Sequence, residues 1–113
     1  MPKVLIASAI DGISQILARD LHGCDVQACC TGPDALQTIN RFRPDLLVID
    51  LMLPGMDGLS VLRRSSFQPP TIIALSSIAT ISILQAAADL GICEVILIPC
   101  SVAYLKDVIL KYL

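Results

Sequence analysis

The residues best suited to chemistry are polar side chains that end short aliphatic runs. Asp50 directly follows the run Leu-Leu-Val-Ile at positions 46–49, and Ser8 and Ser76 follow or end similar runs. A carboxylate beside hydroxyl groups can act as a nucleophile or as a metal ligand. The same carboxylate can instead hold the following loop by accepting hydrogen bonds from its backbone amides. Position alone leaves both interpretations of Asp50 open.

Five aliphatic runs alternate with five amphipathic segments, and these elements must position the polar residues. Strands are predicted at 4–7, 25–30, 46–49, 71–75 and 95–98, and the segments between and after them have the spacing of helices. Near-continuous aliphatic strands are typical of a parallel sheet buried on both faces. The pattern therefore predicts one α/β domain over residues 1–113, a (βα)5 doubly wound parallel sheet with right-handed crossovers.

In a doubly wound sheet, ligands bind beyond the carboxyl ends of the strands. The candidate residues at those ends are Ser8, Ala9, Thr31, Gly32, Asp50, Met52, Ser76, Ser77 and Pro99. Asp50 is the only acid among them, and this singles it out.

The helix ends carry recognisable local signals. Asp11 precedes the first helical pattern and is expected to cap it, and Pro33 is expected at the first position of the second helix. Gly91 is expected to end the helix predicted at 79–90. His22 lies at a predicted helix end far from Asp50, so we expect a surface residue and not part of a Ser-His-Asp triad.

Composition excludes several classes of protein. Hydrophobic residues make up 55% of the 113 residues and the net charge is -2, which disfavours disorder and disfavours nucleic-acid contact by this domain itself. No apolar run reaches the roughly 18 residues of a membrane span, and the N-terminal run reads as a strand and not as a signal peptide. We therefore expect a cytoplasmic protein without membrane contact.

The five cysteines are expected to be reduced thiols without a zinc site. Their number is odd, no Cys-x-x-Cys motif is present and the chain has one histidine. We expect Cys29 and Cys30 to behave as small buried hydrophobic residues on opposite faces of a strand.

One segment carries a specific family signature. Residues 44–64 read PDLLVIDLMLPGMDGLSVLRR, in which Asp50 is followed by the spacing D-x-x-x-P-x-M-D-G. This segment resembles the central motif of response-regulator receiver domains in two-component signalling, and TGPDAL, PTIIALSS and the run from Gly91 to Pro99 resemble other parts of the same family. The resemblance implies the flavodoxin-like strand order 2-1-3-4-5.

The resemblance also implies roles for individual residues. Asp50 stands where the family carries its phosphoryl-accepting aspartate, and Ser76 stands where a hydroxyl bonds the phosphoryl group and moves on activation. The backbone carbonyl of Met52 stands where the family supplies a magnesium ligand. Pro99 matches a proline that often follows a cis peptide bond.

The departures from the family concern its charged residues and one aromatic residue. Ser8 and Ala9 replace the two acids that hold magnesium, Ile98 replaces the lysine before the proline, and Val95 replaces the aromatic residue that swings on activation. Asp50 and the Met52 carbonyl remain as weak metal ligands, so we expect no cofactor or weakly bound Mg²⁺.

Three functions are compatible with these residues. The first is an atypical pseudo-receiver that signals by protein contact without phosphate, and the second is a receiver that a histidine kinase phosphorylates on Asp50. The third is a small-molecule site at the switch point of the same fold, although no glycine-rich phosphate loop follows the first strand. We expect no enzymatic activity.

The helix predicted at 79–90 indicates a surface for protein contacts. Its polar residues Ser82, Gln85 and Asp89 form one narrow stripe, so aliphatic surface is expected to be exposed unless this helix lies deeper in the core. We expect protein partners, namely a histidine kinase or an output domain, and a homodimer or intramolecular contact through the helices at 79–90 and 101–113.

Overall fold

The computed structural model describes residues 1–10 and 12–113 and contains five strands and five helices in strict alternation. The strands are β1 Lys3–Ala7, β2 Asp25–Cys29, β3 Leu46–Asp50, β4 Thr71–Ser76 and β5 Glu94–Leu97. The helices are α1 Ile13–Asp20, α2 Gly32–Phe42, α3 Gly58–Arg64, α4 Ile81–Asp89 and α5 Val102–Lys111. All neighbouring strands are parallel, in the order β2-β1-β3-β4-β5. This confirms the predicted (βα)5 fold and its implied strand order.

The core consists of two apolar layers on either side of the sheet. Every residue of the central strand β3 is buried, and successive side chains point to opposite faces. Leu46 and Val48 pack in the layer that α1 and α5 cover, whereas Leu47 and Ile49 pack in the layer that α2 and α3 cover. Burial on both faces explains why the strands read as unbroken aliphatic runs.

The helix ends differ from the predicted ones because side-chain caps set them. The hydroxyls of Thr80 and Ser101 accept hydrogen bonds from the third residue beyond each, so α4 and α5 begin one residue after these caps. The predicted ranges 79–90 and 101–113 were therefore too long. In α2, Gly32 is the first helical residue, so placing Pro33 at that position was wrong by one residue.

The first helix begins without a side-chain cap. Gly12 is its N-cap, with φ of 81°, a left-handed conformation that glycine adopts at little cost. Asp11, which the sequence predicts as the cap, lies outside the described residues. His22 is exposed just beyond the helix, as predicted.

The cysteines are less buried than expected. Cys30 and Cys93 are exposed, whereas Cys24, Cys29 and Cys100 are partly buried, and all five are free thiols. The prediction that Cys30 is a buried hydrophobic residue was wrong because β2 is an edge strand that ends before it. None of the described helices is long and apolar enough to span a bilayer.

Candidate functional site

Three buried polar side chains meet at the carboxyl edge of the central strands. Asp50 ends β3 and pairs with Leu75 of β4, while Ile49 pairs with Ala7 of β1. Ser8 and Ser76 each come one residue beyond those partners and therefore flank Asp50 on the two neighbouring strands. The exposed fractions are 6% for Asp50, 4% for Ser8 and 1% for Ser76. The polar strand ends that the sequence singled out are thus brought together.

The Asp50 carboxylate holds the loop that follows it. Its Oδ1 accepts a hydrogen bond from the backbone amide of Met52 at 2.9 Å. Its Oδ2 accepts no hydrogen bond from the residues that the structure describes. The loop-holding interpretation of Asp50 therefore applies to one oxygen and leaves the other for a further partner.

The two flanking hydroxyls are engaged with their own loops. Ser76 Oγ donates to the Ile78 carbonyl at 2.6 Å and accepts from the Ile78 amide at 3.2 Å. Ser8 Oγ accepts from the Ile10 amide at 3.1 Å. Ser76 must give up its bond to the Ile78 carbonyl before it can donate to a group bound on Asp50, whereas the Ser8 hydroxyl acts as an acceptor in its own bond and can donate without breaking it.

Gly58 permits a close approach between the backbone and Asp50. A Cβ atom at this position would lie 2.7 Å from the Asp50 carbonyl oxygen and 3.0 Å from the Leu51 Cα. The Gly58 amide donates to the Leu51 carbonyl at 3.1 Å, which closes the loop. The glycine of the family signature is therefore a packing requirement beside the candidate acceptor.

Gly32 has a similar requirement on the other side of this loop. Its amide donates to the Pro54 carbonyl at 2.8 Å. A Cβ atom here would overlap the Met56 carbonyl oxygen. The sequence placed Gly32 at a strand end without identifying this contact, and the Thr-Gly-Pro turn was the available signal.

Asp57, the second acid of the signature, has a local role. Its Oδ1 accepts from the Ser60 amide at 2.9 Å and its Oδ2 accepts from the Ser60 hydroxyl at 2.8 Å. These bonds cap α3. They also lower the pKa of the Asp57 carboxyl below its usual value, and the bond from the Ser60 amide has the larger effect, followed by the bond from its hydroxyl. Its two oxygens are thus committed to the helix.

Three residues that the resemblance matches to an acid, a lysine and an aromatic residue of the family are small or aliphatic. Ala9 is exposed beside Ser8, Ile98 is half-buried against the apolar layer under α1 and α5, and Val95 is half-buried on β5. The peptide bond between Ile98 and Pro99 is cis, as the resemblance implied.

The donor set does not match a magnesium cage. Among the described residues, no group of three or more His, Cys, Asp or Glu side chains is placed to hold a metal ion. Asp50 and the Met52 carbonyl are the oxygen donors that the resemblance matches to metal ligands. Because magnesium favours carboxylate oxygens in near-ideal octahedral geometry, we assign no chemical step to a metal.

Two cavities lie close to this edge of the sheet. One of about 130 Å³ is lined by Ile10, Gly12, Ile13, Ile16, Ile98, Pro99, Cys100 and Val102. The other, of about 190 Å³, is lined by Ser8, Ser14, Gln15, Ala28, Cys29 and Cys30. Asp50 lines neither cavity.

The Cys29 thiol, which lines the second cavity, is not a nucleophile at neutral pH. Its pKa is raised to about 11, mainly by burial and then by the charges of Asp34 and the neighbouring Cys30.

Known proteins resemble the chain in both sequence and structure. Residues 7–110 match the family profile of the response regulator receiver domain. The chain is 28% identical to sporulation initiation phosphotransferase F of Bacillus subtilis, across 98% of this chain and 93% of that protein. The receiver domain of Francisella response regulator 1452 superposes with a TM-score of 0.79 at 28% identity, covering 99% of this chain and 98% of that one.

Other relatives are much longer than this chain. The transcriptional regulatory protein AfsQ1 of Streptomyces coelicolor is 41% identical over 57% of this chain, but the match covers only 29% of AfsQ1.

The fold is also that of a CheY-like receiver domain protein of Methanospirillum hungatei. The two superpose with a TM-score of 0.85 at 20% identity, covering 99% of this chain and 93% of that one. The chain therefore belongs to the family of receiver domains of two-component response regulators.

Proposed function

We propose that this receiver domain is atypical and signals mainly by protein contact, without phosphate on Asp50. The supporting observation is the loss of charge around Asp50, where Ser8, Ala9 and Ile98 stand at the positions of two acids and a lysine. Phosphoryl transfer depends on positioning and on neutralising charge at the phosphoryl oxygens. Removing one such group costs roughly 10²- to 10³-fold in rate in other enzymes.

The hydrogen bonds of Ser76 add to this support. Its hydroxyl must leave the Ile78 backbone to bond a phosphoryl group, and breaking such a bond costs about 0.5–1.5 kcal/mol. In a site with a lysine and a metal ion, interactions of the phosphoryl group with these cations offset that cost. This site lacks the lysine and the acids that hold the metal, so phosphate would drive the move of the Ser76 hydroxyl less strongly.

A competent phosphoacceptor is the second candidate. Oδ2 of Asp50 accepts no hydrogen bond from the described residues, and Ser76 is on the adjacent strand within the same edge. The Bacillus relative that matches along most of its length is named a phosphotransferase. Under this alternative, a histidine kinase phosphorylates Asp50 and the partner's side chains supply the missing charge.

Intact-mass measurement separates these two functions. The protein is mixed with Mg²⁺ and acetyl phosphate, or with Mg²⁺ and a beryllofluoride salt, beside the variant Asp50→Asn as a matched control. The proposal expects no phosphoryl adduct and no spectroscopic change at millimolar Mg²⁺. An adduct that forms rapidly and disappears in Asp50→Asn would establish the second candidate instead.

The contact surface that we propose is an apolar face of α4, β5 and α5, defined by Ile81, Leu84, Leu97 and Tyr104. These side chains are 76%, 44%, 55% and 51% exposed, respectively. In α4 only Ala87 is buried, which confirms the exposed aliphatic surface predicted from the narrow polar stripe. Exposed apolar patches mark interaction sites in soluble proteins.

We propose that this face forms a homodimer or an intramolecular contact with an output domain, in the cytoplasm. Analytical ultracentrifugation tests the dimer with Ile81→Lys, and the control is Gln85→Lys on the exposed polar stripe of the same helix. We expect the first variant to be monomeric and the second to dimerise like the unmodified protein. A wild-type protein that stays monomeric at high concentration would rule out the dimer.

A further inference from the structure

The cations of this domain are concentrated at one end. Of its eight lysine and arginine residues, five lie at the amino edge of the sheet on the side of α2 and α3: Lys3, Arg41, Arg43, Arg63 and Arg64. Arg19 and Lys111 also end helices at this edge, but on the side of α1 and α5. Parallel strands place the C-terminal ends of the connecting helices at this edge, which is the end opposite to Asp50. We call the surface formed by Arg41, Arg43, Arg63 and Arg64 the arginine face.

Contacts between the two helix ends hold the arginine face together. Asn40 Oδ1 at the end of α2 accepts a hydrogen bond from the Ser66 amide just after α3 at 2.9 Å. The Arg43 guanidinium carbon lies 4.9 Å from the centroid of the Phe67 ring. Stacking on an aromatic ring orients the planar guanidinium and leaves its edge free to donate.

The backbone of Arg43 is also unusual. Its φ is 52°, and it is the only non-glycine residue with positive φ among the described residues. Helices commonly end on glycine or asparagine in this conformation because a Cβ atom makes it unfavourable. The chain thus keeps an arginine where glycine is energetically preferred, and that arginine is exposed and stacked on Phe67.

No ion pair within the described residues involves the arginine face. In the described part of the chain the ion pairs are Arg19 with Asp20 and Lys111 with Glu94, and neither involves this face. The nearest acid in sequence is Asp45, whose carboxylate accepts a hydrogen bond from the Lys3 amide at 2.7 Å. A helix dipole favours cations in the last turn but does not neutralise them.

The charge balance indicates what kind of partner fits. The whole chain has a net charge of -2, the five cations with Asp45 contribute +4, and the rest of the molecule therefore carries -6. Long nucleic acid would extend beyond two helix ends and meet this acidic remainder, which repels phosphate. A short acidic segment avoids that repulsion, and the forked guanidinium matches carboxylates in a bidentate geometry.

We propose that the arginine face docks a short acidic protein segment, rich in Asp and Glu, of a partner or of a neighbouring domain. This contact lies at the opposite end of the sheet from Asp50 and does not use the apolar face. It therefore works whether or not Asp50 accepts phosphate, and its success or failure is separate from that of the proposed function.

The test is fluorescence anisotropy with a labelled oligo-glutamate peptide at an ionic strength of about 0.15 M, where the Debye length is about 8 Å. An oligo-glutamine peptide of equal length is the neutral control. Arg43→Gln is expected to weaken binding about 2- to 5-fold, as loss of one exposed ion pair does. Arg43→Gln with Arg64→Gln is expected to weaken it further.

Arg19→Gln removes one exposed cation at the end of α1, on the opposite face of the sheet, and is the matched control. It is expected to leave binding unchanged, and urea unfolding of each variant verifies that it is folded. The proposal is overturned if oligo-glutamate does not bind, or if Arg19→Gln weakens binding as much as Arg43→Gln. It is equally overturned in favour of nucleic acid if an oligonucleotide binds more tightly than oligo-glutamate and loses affinity in Arg43→Gln.

Discussion

Restoring the family's charges around Asp50 tests whether their loss limits phosphoryl transfer to this domain. The perturbation combines Ser8→Asp, Ala9→Asp and Ile98→Lys in one protein. Ser8 flanks Asp50 on a neighbouring strand, at the usual strand separation of about 4.8 Å. Ala9 is exposed, so a carboxylate there keeps its contact with water and with a cation. A lysine at position 98 can keep its alkyl stem against the apolar layer that Ile98 now touches.

The expected gain follows from the two kinds of group restored. Each preorganised charge-stabilising group accounts for roughly 10²- to 10³-fold in rate. Groups that act as a unit contribute much less than the product of their separate effects. We therefore expect adduct formation from acetyl phosphate to be about 10²- to 10³-fold faster in the triple variant. Placing a carboxylate at the buried Ser8 is expected to lower stability, by about 1–3 kcal/mol.

The assay follows the phosphoryl adduct by intact mass over time at fixed Mg²⁺ and acetyl phosphate. Ala18→Asp adds a carboxylate on the exposed surface of α1 and serves as the charge control. Asp50→Asn within the triple variant verifies the site of the adduct. If the folded triple variant is no faster than the unmodified protein, or if Ala18→Asp accelerates the reaction equally, the explanation by missing charge is refuted.

Three further predictions concern the stability of the site and the core, measured by urea unfolding. Gly58→Ala is expected to destabilise the protein by about 1–3 kcal/mol because its Cβ meets the Asp50 carbonyl oxygen; an unchanged midpoint would contradict this. Asp57→Ala is expected to lower the free energy of unfolding by about 1 kcal/mol at pH 7 because α3 loses the N-terminal cap that accepts from the Ser60 amide. Since the folded pKa of Asp57 lies below its usual value, that stabilisation is present above the unfolded pKa and is lost as pH falls through the folded one, so the variant and the parent should converge in acid. Leu105→Ala, at a fully buried position, is expected to cost about 2–5 kcal/mol, and a cost below 1 kcal/mol would contradict the packing described.

Much of the fold could be predicted from local patterns in the sequence. Each of the five strands was predicted within about one residue of its observed ends because unbroken aliphatic runs are local signals. Helix ends were less accurate, since Thr80 and Ser101 lie outside the helices that they cap. The strand order came from the family resemblance, because periodicity does not specify which strands are neighbours.

The candidate site was predicted in its composition but not in its hydrogen bonds. Asp50 and Ser76 were identified from their places after strands, and the structure puts them on adjacent strands. The bond from Ser76 to Ile78 and the packing of Gly58 against Asp50 depend on loop conformation. Loop conformation follows from contacts between distant segments, which no local pattern encodes.

The sequence alone determined the alternation of strands and helices and the lone acid at the strand ends, and the family resemblance added the charged neighbours that this acid lacks. These features depend on residue type and spacing, which are local. The tertiary structure decided which oxygen of Asp50 is held, how far Cys30 and the aliphatic side of α4 are exposed, and that the arginine-bearing ends of α2 and α3 contact each other. Those outcomes depend on chain segments that are far apart in sequence and meet only when the sheet brings their ends to a common edge.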